Sequence, residues 1–190
     1  MPYVDTHQVE SPDMSMTTRR RLIASLLAGG AVVAAAPLFA GHASAADNAA
    51  QPHRDAADNA ALNACLERES RMVATYRSII GGLADNDLVA MTLILDHHIA
   101  YAHSLKGYLA VEAETPSSAP LASPTGSLAS IARQLAALED STATIHTDTI
   151  GSIKGLDAAM LLASIVTVEA RHAAALELIA GATPIAAVGN

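Results

Sequence analysis

The sequence predicts an all-α fold, a four-helix bundle with one long crossover between the second and third helices. Apolar residues recur at steps of three and four in four segments. The connections between these segments are short, long and short, as a bundle with one crossover requires. Aromatic residues make up only 3% of the 190-residue chain, with no Trp. A core of Leu, Ile, Val, Ala and Met suits close helix packing.

Residues 1–45 have the pattern of a twin-arginine signal peptide rather than of a folded element. Arg19–Arg21 precede an uncharged apolar run, Leu22–Ala40, and Ala43–Ala45 form a small-x-small cleavage pattern. An uncleaved anchor is the alternative, because about 20 apolar residues can span a bilayer. Two glycines and a proline in the run favour a signal. We expect export to the periplasm or exterior, no membrane association after cleavage, and a disordered spacer over residues 46–58.

The composition excludes several classes of function. The chain has 11 Lys and Arg against 19 Asp and Glu, a formal net charge of −8, so we expect no nucleic-acid partner. The single cysteine, Cys65, excludes an intramolecular disulfide and is predicted to pack as a small apolar residue. The chain also lacks a Gly-x-Ser-x-Gly nucleophile motif and a phosphate-binding glycine loop.

The first two helices are predicted over residues 59–80 and 87–112, each from one continuous apolar seam. The seam of the first consists of Leu62, Leu66, Glu69, Val73, Tyr76 and Ile80. The seam of the second consists of Leu88, Met91, Leu95, His98, Ala102, Leu105 and Leu109. Gly81 and Gly82 separate the two helices, and residues 85–87 offer an N-terminal cap for the second.

The third and fourth helices are predicted over residues 127–153 and 157–180. The third has two adjacent seams, and either can face inward: Leu128, Ala132, Leu135, Glu139, Thr142, His146, Thr149 and Ile153, or Ile131, Leu138 and Ile145. The fourth has one seam: Leu162, Ile165, Glu169, His172, Leu176 and Ile179. Gly181 and Pro184 end it, so the bundle is predicted over residues 59–184.

The connection between the second and third helices is rich in Pro, Ser and Ala over residues 115–125. About a dozen extended residues reach roughly 40 Å, and a helix of about 25 residues is roughly 37 Å long. The linker can therefore run the length of the bundle, so that the third helix starts at the far end. The other two connections are short, and each flanking pair is predicted to form an antiparallel hairpin.

Each predicted helix places at least one ionisable side chain in its seam, which gives the set Glu69, His98, Glu139, Glu169 and His172. A buried charge normally pairs with another group or binds a metal. Glu169 and His172 form a Glu-x-x-His pair, whose spacing puts both side chains on one helix face. Inward Glu and His from four helices are typical of di-iron and di-manganese bundles, and carboxylate with imidazole suits iron or manganese.

Thr167–Leu176, followed by Gly-Ala-Thr-Pro at residues 181–184, resembles the last helix of ferritin-like proteins of the desiccation-related type. Glu139 with His146 is similar to that family's third helix, and Glu69 with Tyr76 is similar to its first. The resemblance implies a ferritin-like bundle that binds iron or manganese at a di-metal site and has an oxidase or stress role. Its implied ligands are Glu69, His98, Glu139, Glu169 and His172.

The second helix departs from the family pattern. Aligning His98 with His172 places Leu95 where the pattern has Glu, so one bridging carboxylate is missing. Asp96 points about 100° away from Leu95 on the helix. The site is therefore degenerate, either incomplete or rebuilt with Asp96, His97 or His146.

Two other interpretations stay open. The chain could be a non-enzymatic bundle that has lost the metal site and acts as a structural or interaction protein. Glu169 and His172 would then pair with each other or with Arg71 or Arg171 in a buried polar network, and Glu69 could pair with Arg68 or Arg171. A mononuclear copper or zinc site dominated by histidine is the other reading. His97 and His103 lie off the seam of the second helix and are predicted to be surface residues.

Overall fold

The computed structural model describes residues 54–182, which form four α-helices: α1 (Asn59–Ile80), α2 (Asp85–Leu109), α3 (Leu128–Ile150) and α4 (Leu156–Ile179). Short 3-10 turns lie at Ala56–Asp58 and Ala110–Glu112. No strand occurs between residues 54 and 182. The prediction of an all-α four-helix bundle is confirmed. The predicted signal peptide and most of the predicted spacer lie outside the described residues.

The ends of α2 and α3 differ from the predicted bounds. The N-cap of α2 is Ala84, which makes no side-chain cap, so the cap predicted from residues 85–87 is wrong. The helix ends at Leu109 because Ala110 adopts a left-handed φ of 55°. The third helix ends three residues early, at Ile150, where Gly151 takes the C-cap. Its N-cap is Ser127, whose hydroxyl accepts from the Ser130 N–H.

The crossover between α2 and α3 runs along one face of α1. Side chains at four-residue steps on α1 hold it: Asn63, Glu67, Arg71 and Thr75. The Glu114 N–H donates to the Asn63 side chain at 2.8 Å, and the Leu121 N–H donates to the Thr75 hydroxyl at 2.9 Å. The linker therefore carries the chain from the start of α1 toward its end, so α3 begins at the opposite end of the bundle, as predicted.

The four helices form two hairpins. The first hairpin is α1 with α2, the second is α3 with α4, and fewer contacts join α1 to α3 and α2 to α4. Cys65 of α1 lies beside Thr149 and Tyr76 lies beside Glu139, so α1 and α3 run in opposite directions. The order of directions along the chain is therefore up, down, down, up.

The core consists of two apolar clusters separated by a polar layer. The first cluster is Met72, Val73, Tyr76, Ile79, Met91, Ile94, Leu95, Ala132, Leu135, Ala136, Ala175 and Leu176. The second is Leu62, Cys65, Leu66, Tyr101, Leu105, Leu109, Ala158, Leu161, Leu162, Ile165 and Val168. Along each helix the buried Glu and His residues lie at the level where the clusters end. Cys65 packs in the second cluster, as predicted.

The structure decides which seam of α3 faces inward. Ala132, Leu135, Glu139 and His146 are buried, whereas Ile145 is 39% exposed. The seam that contains both Glu139 and His146 is therefore the inner one.

By length and composition alone α4 could cross a membrane; half of that stretch is buried in the bundle.

Asp58 joins the start of α1 to the turn between α3 and α4. Its side chain is buried, at 4% exposure. Its carboxylate accepts from the backbone N–H of Lys154 at 3.0 Å and of Gly155 at 2.7 Å. Gly155 is the N-cap of α4. The last residues of the predicted disordered spacer are therefore ordered, because Asp58 satisfies two backbone donors there.

Candidate metal centre

The predicted ligands converge in the polar layer of the bundle. All five predicted seam residues and His146 have 0% exposure. They form two triads in which one potential ligand atom from each residue lies within 4.8 Å of the other two. The four helices all contribute, because the ionisable residues occupy the level between the two apolar clusters.

The histidine-rich triad consists of His98, Glu139 and His172. His98 Nε2 lies 3.0 Å from Glu139 Oε1, and His172 Nδ1 lies 3.2 Å from Glu139 Oε2. The Tyr76 hydroxyl donates a hydrogen bond to Glu139 Oε1. Both oxygens of Glu139 therefore accept hydrogen bonds, which fixes the plane of the carboxylate.

The carboxylate-rich triad consists of Glu69, His146 and Glu169. His146 Nδ1 lies 3.2 Å from Glu169 Oε2. On the other side of the ring, His146 Nε2 lies 3.6 Å from Glu69 Oε1, which is too long for a hydrogen bond. His146 thus offers this triad its third potential ligand atom.

His98 joins the two triads. Its Nδ1 lies 2.7 Å from Glu69 Oε2, while its Nε2 contacts Glu139. Donating from both ring nitrogens requires the imidazolium form. Each triad takes one residue from the first hairpin and two from the second. Neither hairpin alone can form either triad.

Three further residues of α2 that the sequence analysis considered lie in different environments. His97 is only 4% exposed, and its Nδ1 lies 2.8 Å from His172 Nε2, so the prediction of a surface residue is wrong. Its ring turns from the α2 seam toward α4. Asp96 is exposed and takes no part in either triad, so its proposed role as an additional ligand is wrong. His103 is exposed, as predicted.

The proposed pairing of the buried carboxylates with arginine is also wrong. Glu69 contacts His98 and lies near His146 instead. The Arg68 side chain donates to the hydroxyls of Thr142 and Ser141 on α3. Histidine rather than arginine therefore contacts the carboxyl groups of the polar layer.

Unpartnered atoms provide a direct test of whether the residues fit a metal. Among the described residues, the buried side-chain atoms without a hydrogen-bond partner are Glu69 Oε1, His146 Nε2, Glu169 Oε1, His97 Nε2 and Tyr101 Oη. The first three come one from each residue of the carboxylate-rich triad. Leaving a buried polar atom unsatisfied costs about 1–3 kcal/mol. Of the three, Glu169 Oε1 lies 3.1 Å from His146 Nδ1, whereas Glu69 Oε1 and His146 Nε2 have no hydrogen-bond partner at all. A cation held by the three residues would satisfy these atoms, so the residues fit a metal.

The donor spacing agrees with this fit. Two ligand atoms each about 2.1 Å from a metal lie at most about 4.2 Å apart. The atoms of each triad lie within 4.8 Å of one another. Small side-chain rotations therefore suffice to bring either triad to coordination distance.

The electrostatics of the histidine-rich triad favour charged partners. Burial alone would raise the pKa of Glu139, but the charges of His98 and His172 and their hydrogen bonds hold it well below its usual range. Burial opposes the charged form of His98 as well, but Glu139 and Glu69 raise its pKa well above the usual value. His98 with its two carboxylates is a buried ionic network in the metal-free protein.

Two members of the carboxylate-rich triad, Glu169 and His146, hold protons more tightly than free side chains do. Burial, with the charge of Glu69, raises the pKa of Glu169 to about 8 despite its hydrogen bond to His146. Burial would lower the pKa of His146, but contacts with Cys65 and Glu169 raise it to about 10. Outside the triads, burial and the neighbouring histidines lower the pKa of His97 to about 4.

The metal-free protein is expected to be most stable at about pH 5–6. Above about 6.5, the raised pKa values of Glu169 and His146 mean that the folded state binds more protons than the unfolded chain, so stability falls as pH rises. As the pH falls toward about 4, the unfolded chain gains a proton on His97 that the folded state does not bind, so stability falls. Below about pH 4, the unfolded chain also protonates Glu139 and Glu69 before the folded state does, because their pKa values are lowered on folding, and stability falls further.

Thermal unfolding in the presence of a chelator, followed by circular dichroism, measures this profile. In Glu169→Gln the decline between about pH 6.5 and 8 should shrink, because the group with the raised pKa is gone. An unchanged Tm from about pH 5 to 8.5 in the unsubstituted protein would contradict the expectation.

Comparisons with known proteins address the fold. A model of the ferritin-like domain family matches residues 62–182, which include both triads. The chain also resembles the crystal structure of a conserved hypothetical protein, rv2844, from Mycobacterium tuberculosis. The two share 23% identity with a TM-score of 0.59, over 70% of this chain and 97% of that one. No curated protein matches the chain.

Proposed function

The chain belongs to the ferritin-like domain family, and from that premise we propose that it binds a pair of iron or manganese ions between its two hairpins. One observation carries the proposal. Six buried Glu and His residues form two triads at the level between the apolar clusters, and one triad leaves Glu69 Oε1 and His146 Nε2 without a hydrogen-bond partner. A polar network built only for stability would satisfy those atoms within itself.

The donor set supports iron or manganese. Three carboxylates and three imidazoles combine hard oxygen with nitrogen, which suits these metals better than soft thiolate-binding ions. The family pattern places a carboxylate at Leu95, and here His146 of α3 supplies a sixth ligand in its place. We therefore regard the site as rebuilt with His146 rather than incomplete.

Each neighbouring residue has a definable part in such a site. Tyr76 orients Glu139 through its hydroxyl. His97 lies against His172 Nε2, so with a cation on Nδ1 His172 would donate its other N–H to His97. The apolar clusters on either side exclude water. When bound, the metal pair would supply redox chemistry with oxygen or peroxide, which is the basis of the oxidase or stress role that we propose.

Metal content and stability test the proposal. After aerobic reconstitution with Fe(II) or Mn(II), the purified protein should retain about two metal ions per chain and gain Tm. Glu169→Gln should lower retention and abolish most of the gain. Glu177→Gln on the same helix is the matched control, because Glu177 is exposed. Because protons compete for the ligands, the gain in Tm should increase from about pH 6 to 8. Retention below about 0.1 metal per chain would reject the proposal.

A second candidate function is a structural bundle without metal. The histidine-rich triad favours it, because both nitrogens of His98 and of His172 already have partners. In that case added metal should leave the Tm unchanged in the unsubstituted protein. The same titration therefore separates the two functions.

We also propose export by the twin-arginine pathway, to the periplasm or exterior. The motif Arg19–Arg21, the apolar run and the cleavage pattern after Ala45 support it. Twin-arginine signals as a class direct folded proteins, which agrees with a site that is complete only in the folded bundle. Cell fractionation tests it: changing Arg19 and Arg20 to Lys should keep the protein inside the cell, and export of that variant at the original level would argue against this route.

A further inference from the structure

We propose that the two triads are unequal metal positions. The carboxylate-rich triad is the primary position and takes a hard divalent cation such as Mn²⁺, whereas the histidine-rich triad is a secondary position that selects Zn²⁺. This inference rests on the proposed function, because it requires that the centre bind metal. It goes further in assigning a different chemical class of cation to each half.

The donor atoms differ between the triads. His98, His172 and Glu139 supply two nitrogens and one carboxylate, whereas Glu69, Glu169 and His146 supply one nitrogen and two carboxylates. Imidazole suits Zn²⁺, and carboxylate suits Mn²⁺. His97 strengthens the nitrogen character of the first position, because a partner on the second ring nitrogen raises the basicity of a ligating histidine.

Hydrogen bonding sets the order of filling. In the histidine-rich triad, Glu139 and both histidines are already partnered, so a cation must displace two His–Glu139 hydrogen bonds. In the carboxylate-rich triad, Glu69 Oε1 and His146 Nε2 have no hydrogen-bond partner, and Glu169 Oε1 has only a 3.1 Å contact with His146 Nδ1. A cation there gains ligand atoms of which two now carry the cost of unsatisfied burial.

Zinc binds more tightly than manganese at most nitrogen and oxygen sites. What differs between the triads is how much more tightly each binds zinc than manganese, and this difference is larger where imidazole ligands dominate. With one equivalent of each metal per chain, zinc should occupy the histidine-rich triad and leave manganese in the carboxylate-rich triad. Most manganese should then be mononuclear, with the six-line electron paramagnetic resonance signal of isolated Mn²⁺.

The experiment loads the protein with one equivalent each of Mn²⁺ and Zn²⁺ and measures metal content and the manganese resonance. Equal triads would mix the metals statistically and place about half of the bound manganese in coupled Mn–Mn pairs. That outcome would overturn the inference. Anomalous scattering at the zinc and manganese edges on the same unsubstituted protein gives a second measurement that requires no variant to fold. Manganese in the histidine-rich triad would also overturn the inference.

Variants sharpen the assignment. His172→Gln should lower zinc retention at least about tenfold while changing manganese retention less than about twofold, and Glu169→Gln should do the reverse. His103→Gln and Glu177→Gln are exposed controls on α2 and α4 and should change neither. Loss of both metals to the same extent in each triad variant would count against unequal positions.

The two proposals fail in distinguishable ways. Failure to retain either metal in the unsubstituted protein would reject the proposed function and this inference together. Retention of two metals per chain with statistical mixing would reject only the inference and leave the proposed function intact.

Discussion

Replacing His98 with leucine is expected to lower the unfolding free energy of the metal-free protein by about 3–5 kcal/mol. His98 lies between Glu69 and Glu139, at 2.7 and 3.0 Å, and all three are fully buried. Its raised pKa means that it is charged in the metal-free protein. Leucine has a similar volume but leaves two carboxylates without their shared cation. Breaking a buried ionic network by removing one partner is far more costly than never forming it.

Urea unfolding with a chelator present measures this loss as a lower midpoint at unchanged slope. His103→Leu is the matched control. It makes the same chemical change on the same helix at an exposed position, so we expect a change within about 0.5 kcal/mol. If His98→Leu cost less than about 1 kcal/mol, the polar layer would have to be hydrated rather than ionic.

Asp58→Ala is expected to cost about 2–4 kcal/mol, although it lies far from both triads along α1. The buried carboxylate accepts the backbone N–H groups of Lys154 and Gly155. Alanine leaves these two donors without an acceptor in a place that water reaches poorly. The substitution also releases the start of α1 from the turn that precedes α4, so both the start of α1 and that turn should fray.

Two variants of the same segment define the origin of this effect. Asp58→Asn keeps an acceptor oxygen and should lose less than half as much. Asp55→Ala removes only an exposed cap on Ala57 and should cost about 0.5–1 kcal/mol. Equal losses in Asp58→Asn and Asp58→Ala would mean that the charge of Asp58, rather than the hydrogen bonds it accepts, holds the start of α1 to the turn before α4. Hydrogen exchange of the Gly155 amide reports the local opening directly.

The sequence predicted most of the fold because periodicity and linker length are strong signals. A continuous seam set the face of α1, α2 and α4, and the length of the crossover required α3 to start at the far end. The ends of α2 were less predictable. Ala84 and Ala110 carry no capping chemistry, and their backbone angles depend on the tertiary structure rather than on residue type.

The candidate site was also predictable from the sequence only in part. The five predicted site residues lie on seams, so a helical period of 3.6 residues was enough to place them in the bundle core. His146 also lies on a seam, but α3 had two candidates and packing had to choose between them. His97 lies about 100° from His98 on α2, and only the position of α4 brings it to His172. The pairing of Arg68 with hydroxyls on α3 is likewise a tertiary contact without a sequence signal.

Under the proposed function, the division of each triad between two hairpins also determines when the protein can acquire metal during biosynthesis. The histidine-rich triad needs His172 and the carboxylate-rich triad needs Glu169, and both residues belong to α4. A nascent chain that has exposed only the first hairpin and the crossover offers His98 and Glu69 without their partners. Neither position exists until the ribosome has released α4 and the second hairpin has docked. Under the proposed function, metal capture therefore follows the translation of α4.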